Sequence, residues 1–466
     1  MKKSRFPDSL VLIFSIIILA QLFSYMLPHG EYNRVEVPGA HRTMVENGTY
    51  HQVGEADHVT LPPWAFLTAL PAGLAAAQDI IFLVFLVGGV IALLRESGAI
   101  DAALHGAVSR LGKAPWILIL GTSIIFGLGS FTIGMGEEYV PLIPIIVTMC
   151  LAMKLDSIVA MGMIWVPYGI GWACAGTNPF GVVIAQGIAG VPLTSGLATR
   201  WVLLVVFLAV GFHHVYKYAR KIQKDPSASL VADVDYSTGF EPPHDVKITG
   251  PRIAILAIFI IGLVGFVYGV KVYGWYITEL NAIFLAIGGL AVILSRMTPN
   301  VASKTFIRGA SEMTAAALLI GFARTIEVVL SQGQIIDTII HSIASTLEGT
   351  GAYVSAIGML AVQTICNFFI PSGSGQAYVT MPIMSPLAEL TGVPQQVAVL
   401  AYQFGDGFTN MVVPTSALVM GTLALGKIPY TRWVRFVMPL MVKLFALAII
   451  VLILAVKYGD SWGFTG

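Results

Sequence analysis

The sequence of 466 residues is 56% hydrophobic and only 11% charged, with a mean hydropathy of +0.81. Soluble domains carry about 25% charged residues, so this composition excludes an ordinary soluble enzyme or binding domain. A formal net charge of +1 gives no indication of a nucleic-acid partner. Several apolar runs of about 20 residues instead predict an all-α polytopic membrane protein.

The first apolar run, at about residues 10–27, is predicted to be a retained membrane span that begins in the cytoplasm. Three basic residues precede it and also fit a signal peptide, but the run is long for one and no A-x-A cleavage site follows. The polar residues 29–61 are predicted to form an external loop whose histidines are solvated. A second span at about 80–94 returns to the cytoplasm, and an amphipathic interfacial helix is predicted over 99–111.

The next apolar run, residues 116–153, carries a polar pattern at its centre. The pattern begins at Gly134 and reads G-x-G-E-x-Y-V. Lys113 and Lys154 bracket the run, so both of its flanks are predicted to be cytoplasmic. Two half-helices that enter the membrane and return satisfy both the length and the charges. The run is therefore predicted to be a re-entrant hairpin.

Residues 157–188 follow as a long apolar stretch that is interrupted near Pro179. Proline lacks the N–H of a helical hydrogen bond, so the helix is predicted to open there. A further span at about residues 201–216 returns to a strongly basic segment. Together, residues 1–216 are predicted to form the first half of the molecule.

A charged linker without apolar periodicity, residues 217–250, divides the chain. Residues 251–274 then form a connecting span that has no counterpart in the first half. In the second half, residues 275–466, a second hairpin is predicted over 353–390 and a second broken helix over 395–424.

Two patterns recur at nearly the same offset. The sequence G-x-G-Q-x-Y-V begins at Gly373, which is 239 residues after Gly134, and an Asp-x-x-x-His pair at Asp101 recurs 236 residues later at Asp337. These recurrences indicate an internal repeat. The unpaired crossing reverses the second half, and inverted repeats with broken helices are typical of secondary transporters. The Asp–His pairs are predicted to be surface pairs on short interfacial helices rather than catalytic groups.

The four helix breaks are the predicted site, because non-helical backbone at membrane depth survives only where it is buried or lines a wet cavity. Half-helix N-termini suit carboxylates, and carbonyl, hydroxyl and amide oxygens suit Na⁺. The alternative is that the small residues only pack the hairpins against their neighbours. The candidate substrate- and ion-binding residues are Ser130, Thr132, Gly134, Gly136, Glu137, Thr177, Asn178, Asn367, Ser372, Gly373, Ser374, Gly375, Gln376, Asp406, Asn410, Thr415 and Ser416.

Acidic residues at membrane depth are costly and usually functional. Glu137, at the first hairpin tip with Glu138 beside it, is the leading candidate to bind a proton, a cation or a substrate ammonium. Asp406, in the second broken helix, is the other. The alternative for each is a structural carboxylate that caps nearby amides. No lysine or arginine is expected at a tip or a break, and Gln376 takes the place of Glu137 in the second motif.

Two second-half segments resemble a known group of membrane proteins. The segments NFFIPSGSGQAYVTMPIMSPLA (367–388) and QFGDGFTNMVVPTSA (403–417) are similar to the YfcC-type branch of the DcuC-like carriers, within the ion-transporter superfamily. The resemblance implies a bacterial inner-membrane protein with a scaffold domain and a transport domain that moves as an elevator in a homodimer. The superfamily's polar motifs would fall on residues 134–137, 177–178, 372–376 and 415–416.

The function predicted from these patterns is secondary active transport of a small carboxylate-bearing solute, C4-dicarboxylate-like, coupled to Na⁺ or H⁺. The alternative on the same scaffold is transport or antiport of an amino acid, a basic one included, because members of the branch range over both substrate classes. No cofactor, and no metal other than Na⁺ at the hairpin tips, is predicted. An intramembrane enzyme is disfavoured because H-E-x-x-H, G-x-S-x-G and G-x-G-D are absent. A passive channel is the third class.

Overall fold

The computed structural model describes residues 9–37, 42–54, 59–102, 114–193, 195–236, 249–273, 275 and 277–464. It is predominantly helical, as the sequence predicts. Within these residues, seven helices are long and apolar enough to cross a membrane. They are Gln78–Glu96, Pro115–Ile133, Leu197–Lys224, Ile277–Ser295, Thr314–Gln332, Ala352–Phe369 and Tyr430–Trp462. Four shorter apolar helices accompany them, so the prediction of a polytopic membrane protein is confirmed.

Eight α-helices lie wholly within the described part of the first half. They are α1 (Ser9–Met26), α2 (Ala65–Ala76), α3 (Gln78–Glu96), α4 (Pro115–Ile133), α5 (Ile143–Ala152), α6 (Ser157–Ala173), α7 (Val182–Ile188) and α8 (Leu197–Lys224). A 3₁₀ turn, Glu137–Leu142, lies between α4 and α5. Helix α2 contains Pro71 and is not among the sequence expectations. The interfacial helix expected over 99–111 is described only for 99–102, which is helical, and the rest lies outside the described residues.

The connecting span is α9 (Gly250–Tyr273). The second half contains α10 (Ile277–Ser295), α11 (Pro299–Glu312), α12 (Thr314–Gln332), α13 (Ile336–Ser345), α14 (Ala352–Phe369), α15 (Gly373–Thr391), α16 (Gln395–Thr409), α17 (Ala417–Leu425) and α18 (Tyr430–Tyr458). The helix breaks fall at the two G-x-G motifs and near Pro179 and Pro414. The amphipathic helix α11, capped by Thr298, is a further element that the sequence expectations lack.

Helices α6 and α16 form the centre of the molecule. Every residue of α6 is buried, and so is every residue of α16 except its first. The two helices approach closely where small residues face each other, since a Cβ added at Gly407 would lie 2.4 Å from the backbone nitrogen of Ala173. Helix α4 packs on α6, and α14 packs on α16.

The largest apolar cluster joins α4 to α8 with α14 to α18, and it also includes buried residues of α3, α12 and α13. Two smaller clusters are centred on α3, α9 and α10 and on α1, α2 and α12. Helices α3 and α12 therefore contribute buried residues both to the largest cluster and to a smaller one.

The polar loop after α1 forms two small antiparallel sheets that dock on α13. Strands Gly30–Glu31 and His51–Gln52 make one sheet, and Arg34–Val37 and Arg42–Val45 make the other. Asp337 of α13 is buried and accepts hydrogen bonds from the backbone nitrogen of Tyr32 (3.0 Å) and from Arg34 Nη2 (2.8 Å). His341 stacks on Tyr50, with ring centroids 3.9 Å apart. The prediction of a surface Asp337–His341 pair is therefore wrong, because both side chains bind the loop instead. His105 of the first pair lies outside the described residues.

Candidate functional site

The first hairpin motif makes a sharp turn at Gly134. Helix α4 ends at Ile133, and Gly134 has a φ of +75°, in the left-handed region. A Cβ added there would lie 2.5 Å from Asn178 Oδ1. Both the backbone conformation and the space therefore require glycine at this position.

The first break, between α6 and α7, is bonded to the end of α4. Thr177 Oγ1 donates to the carbonyl of Thr132 (2.9 Å), and Asn178 Nδ2 donates to the carbonyl of Ser130 (3.2 Å). Asn178 Oδ1 accepts from the backbone nitrogen of Phe180 at 2.8 Å. These predicted site residues thus brace the hairpin tip against the break, and their polar atoms satisfy backbone groups that would otherwise be buried without partners.

The fully buried carboxylate at the first tip belongs to Glu138 rather than to Glu137. Glu138 is 6% exposed, and its Oε2 accepts a hydrogen bond from the backbone nitrogen of Gly136 at 2.7 Å. Glu137 is half-buried. The capping role that the sequence allows for Glu137 is therefore filled by its neighbour, and Glu137 is the more open of the two carboxylates.

The second hairpin tip presents the N-terminus of α15. Ser372 caps this helix, with its Oγ accepting from the backbone nitrogen of Gly375 at 3.4 Å. Ser372, Ser374 and Gly375 are half-buried, whereas Gly373 is buried. A Cβ added at Gly373 would lie 3.1 Å from Asp406 Oδ2, so the positive end of α15 lies against a carboxylate.

Asp406 joins both broken helices. Its side chain is fully buried and accepts from Trp172 Nε1 of α6 at 2.5 Å and from Asn410 Nδ2 at 3.0 Å. Asn367 of α14 donates to the backbone carbonyl of Asp406 (3.1 Å) and to Asn410 Oδ1 (2.9 Å). The oxygen of the Asn367 side chain is buried and accepts no hydrogen bond from the described residues. The structure therefore brings three predicted residues, Asn367, Asp406 and Asn410, together at one buried carboxyl group.

The remaining second-half candidates have contacts within the fold. Thr415 Oγ1 donates to the carbonyl of Phe368 at 2.7 Å, which joins the second break to the end of α14 as Thr177 joins the first break to the end of α4. Ser416 caps α17. Gln376 is turned between the arms of the second hairpin, where its Nε2 donates to the backbone and side-chain oxygens of Gln363. Gln376 therefore does not occupy the position at the tip that the alignment with Glu137 suggests.

An aromatic stripe on α6 connects the two hairpin tips. Trp165, Tyr168 and Trp172 lie on one face, and the rings of Trp165 and Tyr168 stack at 4.6 Å. A Cβ at Gly136 would lie 3.0 Å from the Tyr168 ring, and one at Gly373 would lie 2.6 Å from the Trp172 ring. Sequence reasoning did not select these residues, since aromatic side chains in an apolar span resemble ordinary core.

Arg200 is a polar residue of the site region that sequence reasoning missed. It is fully buried near the start of α8, and its Nη1 donates to the carbonyl of Ala175 in the first break at 3.0 Å. It also donates to the side-chain oxygens of Gln396 (3.2 Å) and Gln403 of α16. The expectation that no arginine lies at a break is therefore wrong, because α8 folds back and places this guanidinium there. A single basic residue inside an apolar run was the available signal.

Comparison with known proteins identifies the family of this chain. The family model described as "C4-dicarboxylate anaerobic carrier", DcuC, matches residues 6–457. The chain belongs to this carrier family. It is therefore a transport protein with several membrane spans in the bacterial inner membrane.

Two relatives cover nearly the whole chain. A putative basic amino acid antiporter of Escherichia coli, YfcC, is 33% identical to this carrier over 485 residues, with 96% of each chain covered. An uncharacterized protein of Haemophilus influenzae is 30% identical over 502 residues, with 98% of each covered. The resemblance to the YfcC-type branch is thus confirmed.

Two solved transporter structures are similar at low identity. The YdaH transporter of Alcanivorax borkumensis aligns over 99% of this chain and 100% of its own, with 16% identity and a TM-score of 0.43. MtrF of Neisseria gonorrhoeae aligns over 97% of this chain and 95% of its own, with 18% identity and a TM-score of 0.39.

Proposed function

We propose that this carrier is an ion-coupled secondary transporter of a small carboxylate-bearing solute. The observation that carries the proposal is the convergence on Asp406, where the N-terminus of α15 and Trp172 of α6 both contact one buried carboxylate. A carboxyl group is costly to ionise when it is buried at the crossing of two broken helices, and acidic residues at such positions usually have a function. Cation binding at this carboxylate would supply that function.

The coupling ion would bind at Asp406. Either a proton on the carboxylate or a Na⁺ ion neutralises it. The side-chain oxygen of Asn367 on the neighbouring α14, which accepts no hydrogen bond from the described residues, is a further oxygen ligand of the type that Na⁺ prefers. Binding of either cation removes the negative charge that opposes a substrate carboxylate. Coupling would follow, because the anion and the cation stabilise each other at the same place.

The substrate carboxylate would bind at the N-terminus of α15. Its half-buried residues Ser372 and Ser374 offer hydroxyl groups at a positive helix end, where Ser372 Oγ accepts from the N–H of Gly375. The family description favours a C4-dicarboxylate. The buried acidic residues nearby, Glu138 and Asp406, would repel a second carboxylate when they are ionised. A substrate with two carboxylates would therefore depend on the coupling cation.

A basic amino acid is the second candidate substrate. Its carboxylate would take the same helix end, and its ammonium groups would meet the carboxylates of Glu137 and Asp406 directly. The name of the E. coli relative, a putative basic amino acid antiporter, favours this class and an antiport mechanism. The two classes differ in the sign of the substrate's net charge, and a transport assay separates them.

The movement that we propose is an elevator motion within a homodimer. The α6–α16 group lies in the largest apolar cluster, whereas α1, α2, α9 and α10 place their buried apolar residues in the two smaller ones, which supports a transport domain beside a scaffold domain. The matching Thr177 and Thr415 contacts in the two halves support the inverted repeat.

The experiment is uptake into proteoliposomes that contain the purified protein. Labelled C4-dicarboxylates, neutral amino acids and basic amino acids are each supplied under an imposed Na⁺ gradient, an imposed proton gradient and a preloaded counter-substrate. We expect accumulation of one substrate class under one of these conditions and none in protein-free liposomes. The absence of accumulation for every class under every condition would refute coupled transport of such solutes.

A further inference from the structure

One exposed face of α8 changes from apolar to basic along its length. Val202, Val205 and Val206 are exposed to 62%, 65% and 42% on the first part of the helix. Continuing on the same face at spacings of three and four residues, the exposed side chains become His213, Lys217, Arg220 and Lys224. A single helix face therefore offers hydrocarbon contact at one end and positive charge at the other.

The basic end of this face forms a groove of about 380 Å³. Its lining residues are His213, Tyr216, Lys217, Arg220, Lys221 and Lys224. The Tyr216 ring is held by stacking on Phe212 at 5.6 Å, and the Arg220 guanidinium lies over it at 5.8 Å. Among the residues that the structure describes, no acidic side chain forms an ion pair with the four lysine and arginine side chains.

The distance along α8 places this groove at the depth of lipid headgroups. At 1.5 Å per residue, Val202 and Lys217 are about 22 Å apart along the helix axis. The hydrocarbon of one leaflet is roughly 15 Å thick. With the exposed valines in hydrocarbon, the lysine and arginine side chains reach the level of the phosphates, and long basic side chains extend readily to that level.

We propose that this groove, the α8 basic groove, binds the phosphate of an anionic glycerophospholipid, whose acyl chains lie along the exposed valines. The paired apolar and basic surfaces favour a lipid over a soluble anion, because a free phosphate has no apolar part that could contact the exposed valines. Cationic side chains next to a membrane span attract anionic lipid headgroups. This site is separate from the transport site, so its test needs no transport readout.

The test uses the full-length protein in detergent and in lipid vesicles. Native mass spectrometry counts retained phospholipids after titration with phosphatidylglycerol, with phosphatidylcholine and with inorganic phosphate. The variant is Lys217→Gln/Arg220→Gln/Lys224→Gln. The matched control is Arg296→Gln/Lys304→Gln/Arg435→Gln, which removes three exposed charges elsewhere.

We expect the wild type and the control to retain phosphatidylglycerol in preference to phosphatidylcholine, and the α8 variant to bind it roughly tenfold more weakly or worse. The thermal midpoint of the wild type should rise with phosphatidylglycerol and that of the α8 variant should not. Equal retention by the α8 variant and the control would overturn the proposal. So would equal binding of the neutral lipid, or displacement of the lipid by millimolar inorganic phosphate, which would indicate a soluble anion as the occupant.

Discussion

At the scale of single residues, the predicted site separates into braces and open positions. Ser130, Thr177 and Asn178 are occupied by contacts within the fold, whereas Ser374 and Gly375 remain half-buried at a helix N-terminus. A residue that braces a hairpin tip would affect transport by holding the tip in position. A residue at the N-terminus of α15 would affect transport by contacting the substrate. Substitutions in the two groups should therefore differ in their effects on stability.

Gly134 provides the sharpest test of the first tip. In Gly134→Ala the new methyl group would meet Asn178 Oδ1 and the residue would have to keep a positive φ, which costs roughly 1–2 kcal/mol before any steric strain is added. We expect a clear fall in the thermal midpoint in detergent and reduced transport. The control is Gly121→Ala in α4, the helix that ends just before Gly134, because a Cβ at Gly121 meets nothing within 4 Å. Equal midpoints for the two variants would contradict the proposed turn.

Sequence reasoning located the helix breaks better than it assigned contacts to the residues around them. The glycine motifs identified the breaks because polar residues in long apolar runs are anomalous in a membrane. The choice between Glu137 and Glu138 depends on which side chain turns toward the backbone of Gly136, and adjacent residues in a 3₁₀ turn cannot be separated by composition. Arg200 was not selected as a site residue because its side-chain partners on α16 lie about 200 positions later in the chain.

At the scale of elements, the junction of α6, α8 and α16 depends on Arg200. Its guanidinium binds the carbonyl of Ala175, where α6 opens, and the side chains of Gln396 and Gln403, which are two turns apart on α16. The positive charge also lies near the C-terminal end of α6, where the helix dipole favours a cation. One side chain thus holds three helices in place beside the first break.

Replacement of Arg200 by lysine should loosen this junction although the charge is kept. A lysine ammonium cannot reproduce the planar fork that reaches three acceptors on two elements, so buried oxygens lose their donors. We expect a loss of about 2 kcal/mol in stability, measured as a lower thermal midpoint in detergent. Arg435→Lys, at an exposed position of α18, is the control. If both variants melt at the wild-type temperature, Arg200 has no structural role at the junction.

The predicted elements agree with the structure where apolar runs are long and continuous. Spans expected at about 10–27, 80–94 and 201–216 correspond to α1, α3 and α8. Helices α2 and α11 were missed because one contains a proline and the other is amphipathic and largely exposed. The two small sheets after α1 were missed because strands of two to four residues lack a detectable alternation.

At the scale of the whole molecule, two polar segments tie the first half to the second. The loop after α1 docks on α13 through the contact of Arg34 with Asp337. The described part of the linker, residues 225–236, packs back on α18, where Asp233 pairs with Arg432. The linker begins later than residue 217, where the sequence predicts it, because α8 continues to Lys224. These two contacts join elements that are distant in the sequence, and each contact has one partner in a polar segment outside the membrane spans.

The attachment of the linker should weaken in acid. The hydrogen bond from Arg432 holds the pKa of Asp233 below its usual range, so the ion pair stabilises the folded form fully above the ordinary aspartate pKa of about 4. That stabilisation is lost as the pH falls through the lower pKa of the folded state. We expect Asp233→Asn to increase backbone hydrogen exchange over residues 229–236 at neutral pH, compared with the wild type at the same pH.

The difference between wild type and Asp233→Asn should then shrink in acid, where Asp233 is itself protonated. Asp460→Asn, at an exposed carboxylate on the C-terminal turn, serves as the control. A difference that persists unchanged in strong acid would show that the charge of Asp233 does not hold the linker.

The most direct measurement for the central claim is gradient-driven uptake by Asp406→Asn in proteoliposomes, with Asp156→Asn as the control. Asp156 is a buried carboxylate that caps α6, and asparagine also caps helices well. The account predicts that Asp406→Asn loses accumulation under the ion gradient that drives the wild type, while Asp156→Asn retains most of it. Gradient-driven accumulation by Asp406→Asn at the wild-type level would contradict the assignment of Asp406 as the coupling carboxylate.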